Sequence, residues 1–234
     1  VFCGYEPKKS YICNISGAVV DYNSWYRLDV VYIQMITFTN IKPQRLEKIS
    51  EFLKLDIVSK HTVLAGGAVS ALINLELPVN DYDIFFTSYS NVSDVLQFNE
   101  YKRVKTILEE NGFDLIFECP AKELFSYRKG DIKIQLITKS VYYDVGTLLN
   151  SFDFHPCMCA YNVDGLHVHS KHVIKCCMKK ELDTWYISYP VSSLRRMLKY
   201  QKKGFYVTNN CLKTIVSNIK SLNLSDENMS FYFD

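Results

Sequence analysis

Asp81 and Asp83 stand one residue apart in "LPVNDYDIFF", thirteen residues after the glycine pair of "HTVLAGGAVSALINLE". In a β-strand alternate side chains share a face, so the two aspartates point the same way while Tyr82 and Ile84 turn into a core. Like charges about 7 Å apart on one strand face repel and stabilise nothing by themselves. A divalent cation between them reverses that balance, and hard carboxylate oxygens suit Mg²⁺ or Mn²⁺. Gly66 and Gly67, where an apolar run meets a short helical pattern, leave room for backbone N–H groups to approach a phosphate. Metal-holding carboxylates beside a phosphate cradle are the equipment of phosphoryl or nucleotidyl transfer. The plainer alternative is that Asn80-Asp81 is a turn and Gly66-Gly67 a tight corner.

The surrounding chain has to hold these groups in place. Its 234 residues are 48% hydrophobic and 22% charged, enough for a core without staples and too apolar for a disordered chain. No run approaches the roughly 20 apolar residues of a membrane span. The opening "VFCGYEPKKSYICN" lacks the basic-then-apolar layout of a signal peptide. Of the eight cysteines, Cys176 and Cys177 are adjacent and Cys157 and Cys159 alternate. That placement suits reduced thiols in a cytoplasmic compartment better than a disulfide framework. The net charge of +2 says little, but Lys171 to Lys203 carries nine Lys/Arg against Glu181 and Asp183 alone. Such a segment is equipped to face phosphates.

Periodicity places the elements. Residues 1–40 hold short β-like runs, "SYICNI", "GAVVDY" and "DVVYIQMITF", and form an N-terminal β-rich extension. A helix is expected from Pro43, with Leu46, Ile49, Phe52 and Leu53 on one face. "HTVLA" is a buried strand, "AVSALINLE" a short helix, "YDIFF" a strand, and "FNEYKRVKTILEENG" an amphipathic helix ending at Gly112. "FDLIFEC" and "DIKIQLI" are strands. "SFDFHPCMCAYNVDGLHVHS" is expected to be a strand, an Asp-Gly turn and a return strand. "PVSSLRRMLKYQKKG" is a helix with Leu194, Met197 and Leu198 inside, followed by another near 210–222. The fold class is mixed α/β: a core over 41–180 and a helical lobe over 181–234.

Taken in order, Gly66-Gly67, the thirteen-residue gap and Asp81-Tyr82-Asp83-Ile84 resemble the signature of the DNA polymerase β-type nucleotidyltransferase superfamily. "LAGGAVSALINLELPVNDYDIFF" is similar to the head of tRNA nucleotidyltransferases and poly(A) polymerases. "GFDLIFE", "IKIQLI", "SFDFHPCMCAY" and "LRRMLKYQKKGF" resemble compact members found in large viruses and phages. The likeness covers residues 43–206. It implies a short, twisted mixed sheet flanked by helices, and transfer of an NMP from an NTP to a hydroxyl acceptor such as RNA. It further implies Mg²⁺ or Mn²⁺ on Asp81 and Asp83, and nucleotide contacts from Gly66, Gly67 and Ser70. The matching basic helix implies that Lys199 and Tyr200 face the triphosphate or base. Arg195, Arg196, Lys202 and Lys203 are then set toward an RNA backbone, unless that face is only solvated surface.

One departure stands out. The family usually places a third carboxylate on a neighbouring strand, where "DIKIQLI" has Gln135. Asp153 is the replacement expected, if the "FDF" strand lies beside "IKIQLI"; Asp131 sits at the start of that strand. A zinc cluster drawn from His167, His169, His172, Cys157, Cys159, Cys176 and Cys177 fits no spacing with two ligand pairs. Two readings follow: an enzyme, or a catalytically degenerate domain that binds RNA or serves as a subunit of a larger assembly.

Overall fold

The computed structural model describes residues 20–21, 25–28, 31–88, 99–119 and 124–222, with side chains from Met35 onward. "SYICNI" and two cysteines, Cys3 and Cys13, lie outside the described residues. The strands β1 (Val20–Asp21), β2 (Trp25–Leu28), β3 (Val31–Gln34) and β4 (Ile36–Phe38) come first. Then follow α1 (Pro43–Leu46), α2 (Ser50–Leu53), β5 (Thr62–Ala65), α3 (Gly67–Ile73) and β6 (Tyr82–Thr87). The middle of the chain supplies α4 (Asn99–Glu110), β7 (Asp114–Cys119), β8 (Leu124–Lys129), β9 (Ile132–Tyr142) and α5 (Val145–Asn150). The hairpin β10 (Cys159–Asn162) and β11 (Gly165–Val168) leads into α6 (Lys171–Lys179). The lobe consists of β12 (Glu181–Leu182), α7 (Pro190–Lys202), β13 (Tyr206–Val207) and α8 (Asn209–Lys220).

Among the described residues nine strands form one sheet in the order β1-β4-β11-β10-β5-β6-β9-β8-β7. All its pairings are antiparallel except β6 with β9, so the sheet is mixed. β4 pairs with β11, so the end of the expected N-terminal extension is a strand of the central sheet. One sheet face is closed by helices. Tyr82, Ile84, Phe86, Ile134 and Leu136 pack there with Phe52, Val69, Leu72, Val104, Leu108 and Val173 in one buried cluster. Alternation therefore sends Asp83, Phe85, Gln135 and Ile137 to the opposite face. α5 covers that face only at the Phe85 end, where Val63, Ala65, Phe85, Leu148, Leu149 and Ala160 cluster. Asp144 starts α5 by accepting from Thr147 N at 2.7 Å and Thr147 Oγ1 at 2.8 Å, filling orphan donors of the first turn. The Asp83 end of the face stays uncovered by α5.

Several elements differ from expectation. The helix from Pro43 breaks into α1, a 3₁₀ turn over Glu47–Ile49, and α2. The start of the "SFDFHPC" run is not a strand: His155–Cys157 is a 3₁₀ turn with Pro156 inside, and pairing begins only at Cys159. Proline lacks the N–H a ladder needs and presets the turn. β8, α5 and α6 have short or mixed periodicity, and sequence patterning missed them. α7 is rotated: Ser193 and Met197 are buried, whereas Leu198 is 48% exposed. Ser193 and Arg196 turn inward because Asp153 receives both (2.9 Å and 2.8 Å). All six cysteines of the described residues are free thiols. Among the described residues no helix is long and apolar enough to cross a membrane.

Candidate functional site

The β5–β6 ladder places Ala65 opposite Asp83, so the next residue, Gly66, passes directly over the carboxylate. Gly66 has φ +79°, a conformation open to glycine and strained for other residues. A Cβ there would stand 3.8 Å from Asp83 Oδ2, whereas one on Gly67 would meet nothing within 4 Å. The turn is held from several sides. Gly66 N donates to Cys159 O at 3.0 Å, and its own carbonyl accepts from Ser70 N at 3.0 Å. At the far end of α3, Arg45 donates to Leu72 O and Ile73 O at 2.6 and 2.8 Å, satisfying carbonyls the helix leaves open.

Tyr82 anchors the aspartates from the opposite face, stacked on Phe52 with ring centroids 4.8 Å apart and 9° between planes. Asp81 lies just before β6, partly exposed, with Lys133 Nζ 3.6 Å from its Oδ1. Asp83 is less accessible. Burial and then the charge of Asp81 raise its pKa to about 6, and Lys133, Lys203 and Lys199 oppose that rise without cancelling it. Concentrated negative charge ringed by lysines is a setting for a cation and a polyanion together. Among the described residues only Lys133 forms an ion pair with these carboxylates, at Asp81, and two aspartates so placed fit the donor chemistry of a hard divalent metal.

Gln135 stands in register beside Asp83 on the parallel strand β9. Its amide nitrogen donates to Ser126 Oγ at 3.1 Å, so a neutral side chain occupies the position where a third carboxylate was expected. Asp153 does not replace it. The strand that follows Asp153, β10, pairs with β5 and β11 rather than β9. Asp153 itself is buried and accepts from Ser193 Oγ and Arg196 Nε. It is a positioning residue for α7, and the expected third ligand is corrected accordingly.

Three other expected contacts are redirected. Ser70 is 2% exposed and its hydroxyl lies 2.5 Å from Pro156 O and 3.1 Å from Gly66 O, so it braces the glycine turn from within. Tyr200 packs edge-on to Phe205 at 5.0 Å, and its hydroxyl meets Cys157 Sγ at 2.7 Å, inside the lobe's core. Arg196 is engaged with Asp153. Lys199 and Lys203 weakly lower the Asp83 pKa through their charge, and Lys203 Nζ lies over the Tyr200 ring, 5.6 Å from its centroid. Lys133 was missed, though its place two residues before Gln135 on an alternating strand could have revealed it. The histidines and cysteines of the zinc pattern do not gather as one set: His167 pairs with Asn162, His169 with Asn150, and Cys159 lies among backbone carbonyls, while His172 and Cys176 stay together with Nε2 and Sγ 3.5 Å apart.

Comparison with known proteins agrees with this architecture. The family described as Gad2, Gabija anti-defense 2 family protein, matches residues 40–180. Gabija anti-defense 2 of Bacillus phage SPbetaL7 is 27% identical over 168 residues, covering 69% of this chain and 37% of the phage protein. Among solved structures, a CCA-adding enzyme in complex with ATP superposes with a TM-score of 0.55 at 18% identity, over 76% of this chain and 45% of that one. An apo CCA-adding enzyme gives 0.52 at 18% identity, over 77% and 43%. The Thermotoga maritima CCA-adding enzyme complexed with tRNA gives 0.50 at 17% identity, again over 77% and 43%. The chain thus spans less than half the length of each of these proteins. It belongs to the Gabija anti-defense 2 family, and its core has the nucleotidyltransferase fold seen in CCA-adding enzymes.

Proposed function

We propose that this chain binds an NTP through a divalent cation on Asp81 and Asp83 and transfers its NMP to a hydroxyl acceptor, RNA being the acceptor favoured. The observation that carries this reading is the strained carboxylate of Asp83 under Gly66, beside Asp81 and within the field of Lys133, Lys199 and Lys203. Mg²⁺ or Mn²⁺ supplies charge neutralisation of the triphosphate and activation of the attacking hydroxyl. The lysines hold the phosphates, and Gly66 and Gly67 let the nucleotide approach the backbone. α3 has only two turns, so its dipole contributes little beside those charges. Family membership supports a role for this chemistry in phage counter-defence, with the acceptor belonging to the host or to the defence system. The test is release of pyrophosphate, and label transfer from each α-labelled NTP, over pooled RNA and protein acceptors.

Gln135 favours a second reading. Two carboxylates, one already shared with Lys133, suit a single cation, and nucleotide binding without efficient transfer would then make the domain a sensing or RNA-binding subunit of a larger assembly. In the transfer assay that reading gives NTP retained intact.

Gly67→Ala probes the open space over the turn. Alanine at the first residue of α3 leaves the fold intact and gains up to about 1 kcal/mol of helix propensity. The added methyl occupies space assigned to phosphate, so NTP affinity is expected to fall roughly tenfold. Unchanged affinity by calorimetry would place the phosphates elsewhere.

The basic surface of α7 makes a separate prediction. Arg195 and Lys202 are assigned to an RNA backbone, with Arg196 retained to hold Asp153. Replacing Arg195 and Lys202 by Ala is expected to reduce the log–log salt slope of single-stranded RNA binding by about 1.4, two contacts at roughly 0.7 each. An identical slope in the variant would leave this face as solvated surface only.

A further inference from the structure

Apart from the Asp81–Asp83 pair, three elements converge on a second group of ligand-type side chains. His155 comes from the 3₁₀ turn before β10, His172 from α6, and Asp183 from the segment after β12. One ligand atom from each lies within 4.8 Å of the other two. We propose that His155, His172 and Asp183 bind a structural zinc ion, with Cys176, which touches His172 from the same helix face, swinging in as the fourth ligand.

Three of the four ligand atoms already cluster; Cys176 Sγ lies outside that group and joins it by turning its side chain. Zinc bonds of about 2.0–2.1 Å to nitrogen and oxygen and about 2.3 Å to sulfur give tetrahedral edges near 3.3 Å (N–O) and 3.6 Å (N–S). His172 Nε2 lies 3.2 Å from Asp183 Oδ2 and 3.5 Å from Cys176 Sγ. One turn of α6 separates His172 and Cys176, so both reach the same point from one helix face. His155 supplies an independent observation: it is 8% exposed, and its buried Nδ1 has no hydrogen-bond partner among the described residues. Its ring meets that of His172 edge-on, with centroids 4.5 Å apart.

Asp183 is held in the manner of a metal-bound carboxylate. Oδ1 accepts from Thr184 N, Thr208 Oγ1 and Asn210 Nδ2 at 3.0, 3.0 and 2.9 Å. That leaves Oδ2 aimed at His172, as outer hydrogen bonds orient a monodentate ligand. The Asp183 backbone carbonyl also accepts from His155 N at 3.0 Å, fixing one ligand relative to another through the main chain. Cysteine among the donors and the buried histidine favour zinc over Mg²⁺ or Ca²⁺. The ion would tie the core to the lobe, since Thr208 and Asn210 begin α8 and Asp153, two residues before His155, anchors α7. The charges of Lys199 and Lys203 thus act on Asp83 from a lobe that this metal fastens.

The test is elemental analysis of the full chain purified without chelator. About one zinc per chain is expected in the wild type and in an Asp81→Asn/Asp83→Asn variant, which separates this site from the nucleotide site. Asp183→Asn keeps an oxygen for the three Oδ1 donors while removing the ligand charge, so it folds. It and His172→Asn are expected to lose zinc at least tenfold and to show no rise in melting temperature on zinc addition. Cobalt substitution is expected to give a thiolate charge-transfer band that disappears in Cys176→Ser. Absence of zinc together with no zinc-dependent stabilisation of the wild type, iron in its place, or full zinc in Asp183→Asn would overturn the site. A cobalt spectrum without the thiolate band would overturn Cys176 as the fourth ligand.

Discussion

An Asp81→Asn/Asp83→Asn variant is expected to lose metal-dependent NTP binding by more than about 100-fold while keeping its fold. Loss of a metal ligand's outer hydrogen-bond partner alone typically weakens affinity 10–100-fold, so removal of both direct ligands exceeds that range. The fold persists because neither side chain packs in the core: Tyr82 and Ile84 carry the packing of this strand on the opposite face. Asn preserves shape and removes charge, so the effect isolates electrostatics. Calorimetry with Mg²⁺ present checks it, and chelator should reproduce the variant's behaviour in the wild type. NTP affinity equal in the two proteins would remove Asp81 and Asp83 from the account.

The same carboxylates weaken the protein when it is empty. The Asp83 pKa is raised from 3.8 to about 6, so the folded state holds its proton more tightly than the unfolded state does. Stability is therefore highest below the unfolded pKa, falls as pH rises from 4 to 6, and stays lowered above that. Two units at 1.36 kcal/mol each set a ceiling of about 3 kcal/mol on the penalty at neutral pH. Asp83→Asn is expected to recover up to about that amount at pH 7.5 in chelator, and nothing at pH 3.5. Urea unfolding at the two pH values measures it. Mg²⁺ with NTP should narrow the gap by stabilising only the wild type, through binding to its folded state. Equal stability of the two proteins at pH 7.5 would mean that the Asp83 charge is not strained.

The sequence revealed the part of the site that lies close together along the chain. Gly66, Gly67, Asp81 and Asp83 belong to a strand, a short helix and a strand whose alternation fixes which side chains share a face. The position of Gln135 was legible for the same reason, because β9 alternates cleanly beside β6. Asp153 failed because its role depends on which strands become neighbours, and Pro156 diverts the chain into a 3₁₀ turn before β10 pairs with β5 and β11. Tyr200 and Arg196 failed for a related reason: hydrophobicity alone put Leu198 inside. The inward face of α7 is instead set by Ser193 and Arg196 meeting a buried acid. The field of Lys203 at Asp83 and the meeting of His155 with Asp183 arise only through tertiary packing, whereas the alternation of β9 could have revealed Lys133.

The central claim is that Asp81 and Asp83 hold a divalent cation on a triphosphate. It is tested most directly by anomalous diffraction at the manganese edge, from crystals of the full chain grown with Mn²⁺ and a non-hydrolysable NTP. An anomalous peak is expected within ligand distance of both carboxylates, with the triphosphate running past Gly66 and Gly67 toward Lys199 and Lys203. A nucleotide bound with no manganese between Asp81 and Asp83, or manganese there with the nucleotide elsewhere, would contradict it.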